Sequence, residues 1–142
     1  MKKIAALISV LILTNNLYAQ RSEYLKAFTQ GNFLFLEKNY DMALQSYKQA
    51  YAIDSTNANI NYKIGLVYMS LPSKKKKAMP YLEKAITNVS RNYHEDEPRE
   101  KAAPHDAYYY YGKALHLSGK FEDAIVQFEK YKQYIGSHDK ER

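Results

Sequence analysis

Three stretches of the chain share one sparse spacing: a Gly, an Ala about a dozen residues later, and a large apolar residue four positions after the Ala. The sets are Gly31, Ala43 and Tyr47; Gly65, Ala78 and Leu82; and Gly112, Ala124 and Phe128. Gly31 and Gly65 stand 34 residues apart. A self-similar unit of this length predicts a stack of helix pairs. Two antiparallel helices cannot bury their apolar faces alone, so each pair must lean on its neighbours. Such stacks usually hold another molecule against a surface, so a binding module is expected before any site is sought.

The spacing has a physical logic. Each Gly falls midway along the first helix of a pair, where it is about 1 kcal/mol less favourable than Ala. Recurrence at that position implies that close packing offsets the cost. Ala43, Ala78 and Ala124 fill the matching tight spot on the second helix, and Tyr47, Leu82 and Phe128 lie one turn later on the same face.

Helix signals give a map. Ser22 can cap a helix over residues 23–37, and Asp41 enters a second that ends near Ile53. Asp54-Ser55-Thr56-Asn57 reads as a turn with capping side chains. The third helix spans residues 58–70 and the fourth 74–89, with Ser73 as its cap and a distortion at Pro80. Pro104 opens the fifth, to Leu117. The sixth covers residues 121–135, with Gly136 as its stop.

With these residues in view, the chain resembles the tetratricopeptide repeat (TPR) family. Repeat one spans about residues 24–57, with Gly31, Leu34, Tyr40, Ala43, Tyr47 and Ala50 at matching positions and Ser55 where a Pro is common. Repeat two spans about 58–90, with Ile64, Gly65, Tyr68, Ala78, Leu82 and Ala85. Repeat three spans about 105–138, with Tyr108, Gly112, Leu115, Gly119, Phe121, Ala124 and Phe128, and departs at Tyr131, where a small residue is usual. The resemblance implies an all-α solenoid of three helix-turn-helix repeats.

Residues 1–19 are a different object. Lys2-Lys3 precedes ten largely apolar residues from Ile4 to Leu13, and Leu17-Tyr18-Ala19 offers a cleavage point before Gln20. This is the layout of a secretory signal peptide, and the run is shorter than the roughly 20 residues a membrane span needs. The expected mature chain is residues 20–142, a TPR domain without a membrane span, periplasmic or associated with a bacterial outer membrane. With no Cys in the chain, lipoprotein anchoring, thiol catalysis, disulfides and Cys-based zinc sites drop out.

Between repeats two and three lies a charged insertion, residues 91–103, RNYHEDEPREKAA. The expectation is a longer fourth helix followed by a solvated loop, in preference to a projecting docking loop. His94, Glu95, Asp96 and Glu97 are consecutive, so they do not converge on one helix face to hold a metal. His105, His116 and His138 have no recognisable catalytic companions, and there is no Gly-rich phosphate loop. Lys74 to Lys77 read as a solvated run. Residues 20–142 carry 19 basic and 15 acidic side chains, too small an excess to suggest nucleic acid. No enzyme, cofactor or metal is expected.

What remains is surface. In the Tyr108–Tyr111 run, four consecutive residues point four ways on a helix. By the TPR register Tyr108 and Tyr111 belong to the core, Tyr109 lines the concave wall, and Tyr110 faces a neighbouring unit or solvent. The resemblance implies a partner-binding groove of Leu25, Phe28, Asn32 and Phe35 from the first helix, Tyr62, Leu66 and Met69 from the third, and Tyr109, Lys113 and His116 from the fifth. Asn32 alone matches the family's carboxylate clamp; Phe28, Lys63, Asp106 and Tyr110 occupy its other positions. An apolar or extended ligand, or another domain, is expected instead. The sixth helix carries Phe121, Ala124, Ile125, Phe128, Tyr131 and Ile135 at helical spacing, and one flank of it would face solvent.

NANINYKIGLVYMS, AMPYLEKAITNVS and AAPHDAYYYYGKALHLSGKFEDAIVQFEKYKQY resemble the N-terminal TPR module of outer-membrane proteins of the OmpA family, some associated with type IX secretion. The function implied is a non-catalytic scaffold in the cell envelope that binds a partner protein through the groove. The alternative is a free-standing, chaperone-like binder of apolar peptides.

Overall fold

The computed structural model describes residues 2–138, with side chains described for most positions from 14 to 136. They form α1 (Lys2–Leu36), α2 (Tyr40–Ile53), α3 (Ala58–Ser70), a 3-10 turn (Lys75–Ala78), α4 (Met79–Ala85), α5 (Asp106–Leu117) and α6 (Phe121–His138). Helices pair as α1 with α2, α3 with the 3-10 turn and α4, and α5 with α6; α2 leans on α3 and α4 on α5. There is no strand among the described residues, only one isolated parallel bridge between Val89 and Ala103. The fold is an all-α solenoid of helix pairs.

The glycines set the spacing inside each pair. A Cβ added to Gly31 would lie 2.5 Å from Cε1 of Tyr47, one on Gly65 2.5 Å from Cδ2 of Leu82, and one on Gly112 2.6 Å from Cε1 of Phe128. Each glycine is a recess filled by the large residue of its own pair. Tyr47 and Leu82 are fully buried there, and Ala43, Ala78 and Ala124 are buried one turn earlier. A single core runs through the stack from Tyr24 to Ala124.

Two of the turns within pairs are the same structure. In the first, Lys38 N–H donates to Phe35 and Asn39 N–H to Leu34; in the third, Gly119 N–H donates to His116 and Lys120 N–H to Leu115. Both centre on a residue in the left-handed region, Lys38 at φ 59° and Gly119 at φ 76°. Gly adopts that conformation freely; a Lys does so at a cost of roughly 1 kcal/mol.

Four expected helix boundaries are corrected. Ser22 is not a cap, because α1 passes through it without interruption; no Gly or Pro occurs between Lys2 and Gly31 to end the helix. Packing begins only at Tyr24, since the side chains of residues 16–23 are all exposed. The fourth helix is shorter than residues 74–89. Lys74, not Ser73, precedes the 3-10 turn and makes no side-chain cap, and α4 proper starts at Met79 with Pro80 in its first turn. It stops at Ala85 because Asn88 and Ser90 are drawn into backbone bonds with Ala103, at 2.8 and 3.0 Å. Gly136 does not end α6, which continues to His138; nothing lies within 4 Å of where its Cβ would be. Among the described residues no helix is long and apolar enough to cross a membrane.

Two substitutions test this account in urea unfolding. Gly31→Ala should destabilise by about 1–3 kcal/mol despite the better helix propensity of Ala, because the buried Tyr47 ring cannot yield. Lys38→Gly should stabilise by about 0.5–1 kcal/mol by relieving the left-handed turn. A neutral Gly31→Ala would remove the recess from the explanation.

Candidate functional site: the concave wall and its strap

The first helices of the three pairs form the concave wall, and the insertion lies along it. Residues 91–103 turn most of their charged side chains to solvent, as expected of a solvated loop, but their backbone does not hang free. They run back as a strap over α3. The Lys101 carbonyl accepts from the N–H groups of Ala58 and Asn59 at 3.1 and 3.3 Å, satisfying donors that open a helix without intrahelical partners. The Glu100 carbonyl accepts from the side-chain amides of Asn57 and Asn59, each at 3.4 Å. Further along α3, the Tyr93 hydroxyl donates to Asn59 Oδ1 at 2.9 Å, and Lys63 Nζ meets Glu95 Oε1 at 3.3 Å. Ala102 and Ala103 are buried and fix the end of the strap.

This explains an oddity in the sequence. Asn57, Asn59, Asn61 and Lys63 occupy alternate positions at the start of α3, and all four are buried. A buried polar group must be hydrogen-bonded. Asn57, Asn59 and Lys63 find partners in the strap; Asn61 donates to Ser55 O and Asn57 O, while its own buried Oδ1 accepts nothing. The Lys63 side chain is 5% exposed against 70% for that of Glu95, and burial holds the lysine's pKa below its usual value. Tyr62, Tyr93 and Tyr47 are pushed upward by burial, so their hydroxyls stay neutral.

The strap divides the expected groove residues. Phe28 and Tyr62 are corrected: both are buried, Phe28 against Tyr24 and Tyr47, and Tyr62 between Tyr93 and Tyr110. Neither can meet a partner while the fold is intact. Asn32 accepts the Tyr47 hydroxyl at 2.7 Å. Phe35 packs on Tyr40, and Leu25, Leu66 and Met69 are half-buried against the core. Tyr109 takes the position in α5 that Phe28 and Tyr62 take in α1 and α3, yet it is 38% exposed. Its ring rests on Tyr110, Phe128 and Tyr131, and Lys113 Nζ sits 5.3 Å from the Tyr109 ring and 5.8 Å from that of Tyr110, a cation–π arrangement. His116 is exposed beside Phe121. Met69, Lys113, His116 and Phe128, with Lys75 and Leu117, surround a hollow of about 340 Å³. Tyr111 is buried, whereas Tyr108, expected in the core, is half-buried between His105 and Lys130.

A second hollow, about 540 Å³, lies where Leu17, Tyr24 and Ile53 face Pro98 and Arg99 of the strap. The strap is also tied to the last helix: His105 stacks on Tyr134 with ring centroids 3.5 Å apart, and Arg91 lies over the same Tyr134 ring. Tyr93, Glu95, Lys63 and the Asn series were not in the expected site. The available signal was the Asn-x-Asn-x-Asn-x-Lys run from Asn57 to Lys63, polar at alternate positions of a helix that is otherwise apolar. Among the described residues no group of His, Asp and Glu is placed to hold a metal.

The Lys63–Glu95 pair gives an asymmetric prediction. Glu95→Ala strands a buried ammonium and should cost about 1–3 kcal/mol. Lys63→Met leaves only an exposed carboxylate and should stay within about 1 kcal/mol of the parent. Because burial lowers the Lys63 pKa, the Glu95→Ala loss is full at neutral pH and fades as pH rises towards the free-lysine value of 10.5. Denaturant melts at pH 7 and pH 10 decide it; equal losses for the two variants would contradict the assignment.

Comparison with known proteins agrees with this geometry. A family profile described as TPR repeat matches residues 31–71, which run from the Gly31 recess through α3. Among solved structures, the crystal structure of MamA superposes with a TM-score of 0.59 at 24% identity, covering 80% of this chain and 59% of that chain. The present chain thus spans about three fifths of MamA. A comparison with curated proteins finds no match. Residues 31–71 match a TPR repeat profile, and the chain has the fold of a TPR solenoid.

Proposed function

We propose that the protein is a non-catalytic scaffold that binds a partner protein on the concave wall between α3 and α5. The observation that carries this is the contrast along the wall. Tyr62 is sealed beneath the strap, while its counterpart Tyr109 is exposed beside Lys113 and the hollow at Met69 and His116. Rigid aromatic rings with a neighbouring cation are the groups that supply most of the affinity at protein interfaces. The strap supports a partner confined to this open end and not one threaded along the whole groove.

The setting belongs to the same proposal. The basic start, the apolar run and Leu17-Tyr18-Ala19 before Gln20 favour export across an inner membrane, with the mature protein acting in the periplasm or at the outer membrane. The resemblance of the quoted α3–α6 stretches to modules of OmpA-family and secretion-associated proteins favours a role within such an assembly. N-terminal sequencing of the protein recovered from the envelope should begin at Gln20.

The groove is tested by placing a photocrosslinking phenylalanine analogue at Tyr109 and, separately, at Gln49 on exposed α2. One saturable adduct in the envelope fraction at position 109, absent at position 49 and weakened about tenfold or more by Lys113→Glu, is expected. Equal labelling at both positions would refute a groove site. Many weak adducts at position 109 would favour a chaperone-like binder of apolar peptides.

A further inference from the structure

α6 exposes the face that the other two pairs bury. Residues 81 positions apart are equivalent in the first and third pairs, as Gly31 and Gly112 or Ala43 and Ala124 show. In α2, Tyr40 is half-buried and Leu44 is buried as α2 leans on α3. Their α6 counterparts, Phe121 and Ile125, are 52% and 60% exposed, with Val126 beside them at 50%. The polar neighbour follows the same register. Lys48 of α2 lies over the Tyr68 ring of α3, and Glu83 of α4 stands near enough to the Tyr111 phenol of α5 for its charge to join burial in raising that group's pKa. The equivalent position in α6 is Glu129, which is exposed. Isolated apolar residues on a surface need no explanation. A row in the register of two interfaces already formed in the same molecule does.

We infer that the outer face of α6, centred on Phe121, Ile125 and Glu129, is a docking site for one amphipathic helix of a partner polypeptide, packed as α3 packs on α2 and α5 on α4. Those helices state what the incoming one must carry. α3 brings Ile60, Ile64 and Val67 and α5 brings Ala107, Tyr111 and Ala114, all buried and all at spacing i, i+4, i+7. Against Glu129 the α5 form is the better fit. Small residues at i and i+7 let the backbones approach, and a hydroxyl or ammonium donor at i+4 would stand beside the carboxylate as Tyr111 stands beside Glu83. A second copy of this chain does not supply such a helix. The uncovered first helix is α1, and its positions equivalent to Ile60, Ile64 and Val67 are Lys26, Gln30 and Phe33, so head-to-tail stacking would bury two polar side chains without partners.

The test uses the full chain and a fluorescein-labelled, side-chain-stapled helix of the α5 sequence, residues 105–118, in an anisotropy titration. Saturable binding is expected. Ile125→Asp should weaken it at least about tenfold, a difference of about 1.4 kcal/mol. Glu129→Lys should weaken it several-fold, and Phe33→Asp on α1 should leave it unchanged. Circular dichroism checks that each variant keeps its helix content, and Ile125→Ser serves where Ile125→Asp does not fold. No saturable binding, or a loss as large with Phe33→Asp as with Ile125→Asp, would overturn the inference. A concentration-dependent dimer in light scattering that Ile125→Asp dissociates would overturn it too, by making a second copy the occupant.

Discussion

Three positions in the first helices that carry no Cβ, only a hydrogen, are what allow this chain to stack. At Gly31, Gly65 and Gly112 the helix surface is cut back to the backbone, and Tyr47, Leu82 and Phe128 enter the cut. Everything else follows from the depth of that contact. It brings each second helix close enough for Ala43, Ala78 and Ala124 to disappear into the interface, and it leaves the next face of the second helix free to carry the following pair. Interiors pack at crystalline density, so a contact of this kind fixes both distance and rotation.

On that frame the strap solves a problem that the stack creates. The start of α3 presents amide donors, three buried asparagines and a buried lysine. Leaving them dry and unpaired would cost several kcal/mol. The strap brings backbone carbonyls, a phenol and a carboxylate to the same strip. The consequence for recognition is subtraction. Part of the surface that a helix-pair solenoid ordinarily offers is already spent on the chain itself, and what is left is the end where Tyr109, Lys113 and His116 stand uncovered.

Much of the frame was legible in the sequence because it rests on residue size at fixed spacing. The bounds of α3 at Ala58 and Ser70 and the entry of α5 near Pro104 followed from local signals. The same signals misjudged α1, α4 and α6. Ser22 and Gly136 are permissive residues that end a helix only when something else competes for the backbone, and nothing does. In α4 something does: Ala103, 15 and 13 positions further on, takes over the hydrogen bonds of Asn88 and Ser90, and no local rule reports that. The site was less legible for a related reason. Phe28 and Tyr62 stand at concave positions, but whether such a ring is a wall or a core residue depends on what lies above it. For Tyr62 that is Tyr93, from an insertion whose composition advertised solvent. The charged residues of the strap do face water; it is the carbonyls and two side chains on its other edge that do the binding, and a charge count cannot see an edge.

The strap also alters how the molecule can assemble in time. A plain stack of helix pairs can form one unit after another from the N-terminus, since each unit touches only its neighbours. Here the amides of Asn57 and Asn59 wait for the Glu100 carbonyl, 43 and 41 residues further on. On a ribosome the middle pair therefore emerges with its polar strip unanswered and is completed only when the start of the third pair is already being made. Closing that span ties the completion of the second pair to chain that lies beyond its own second helix.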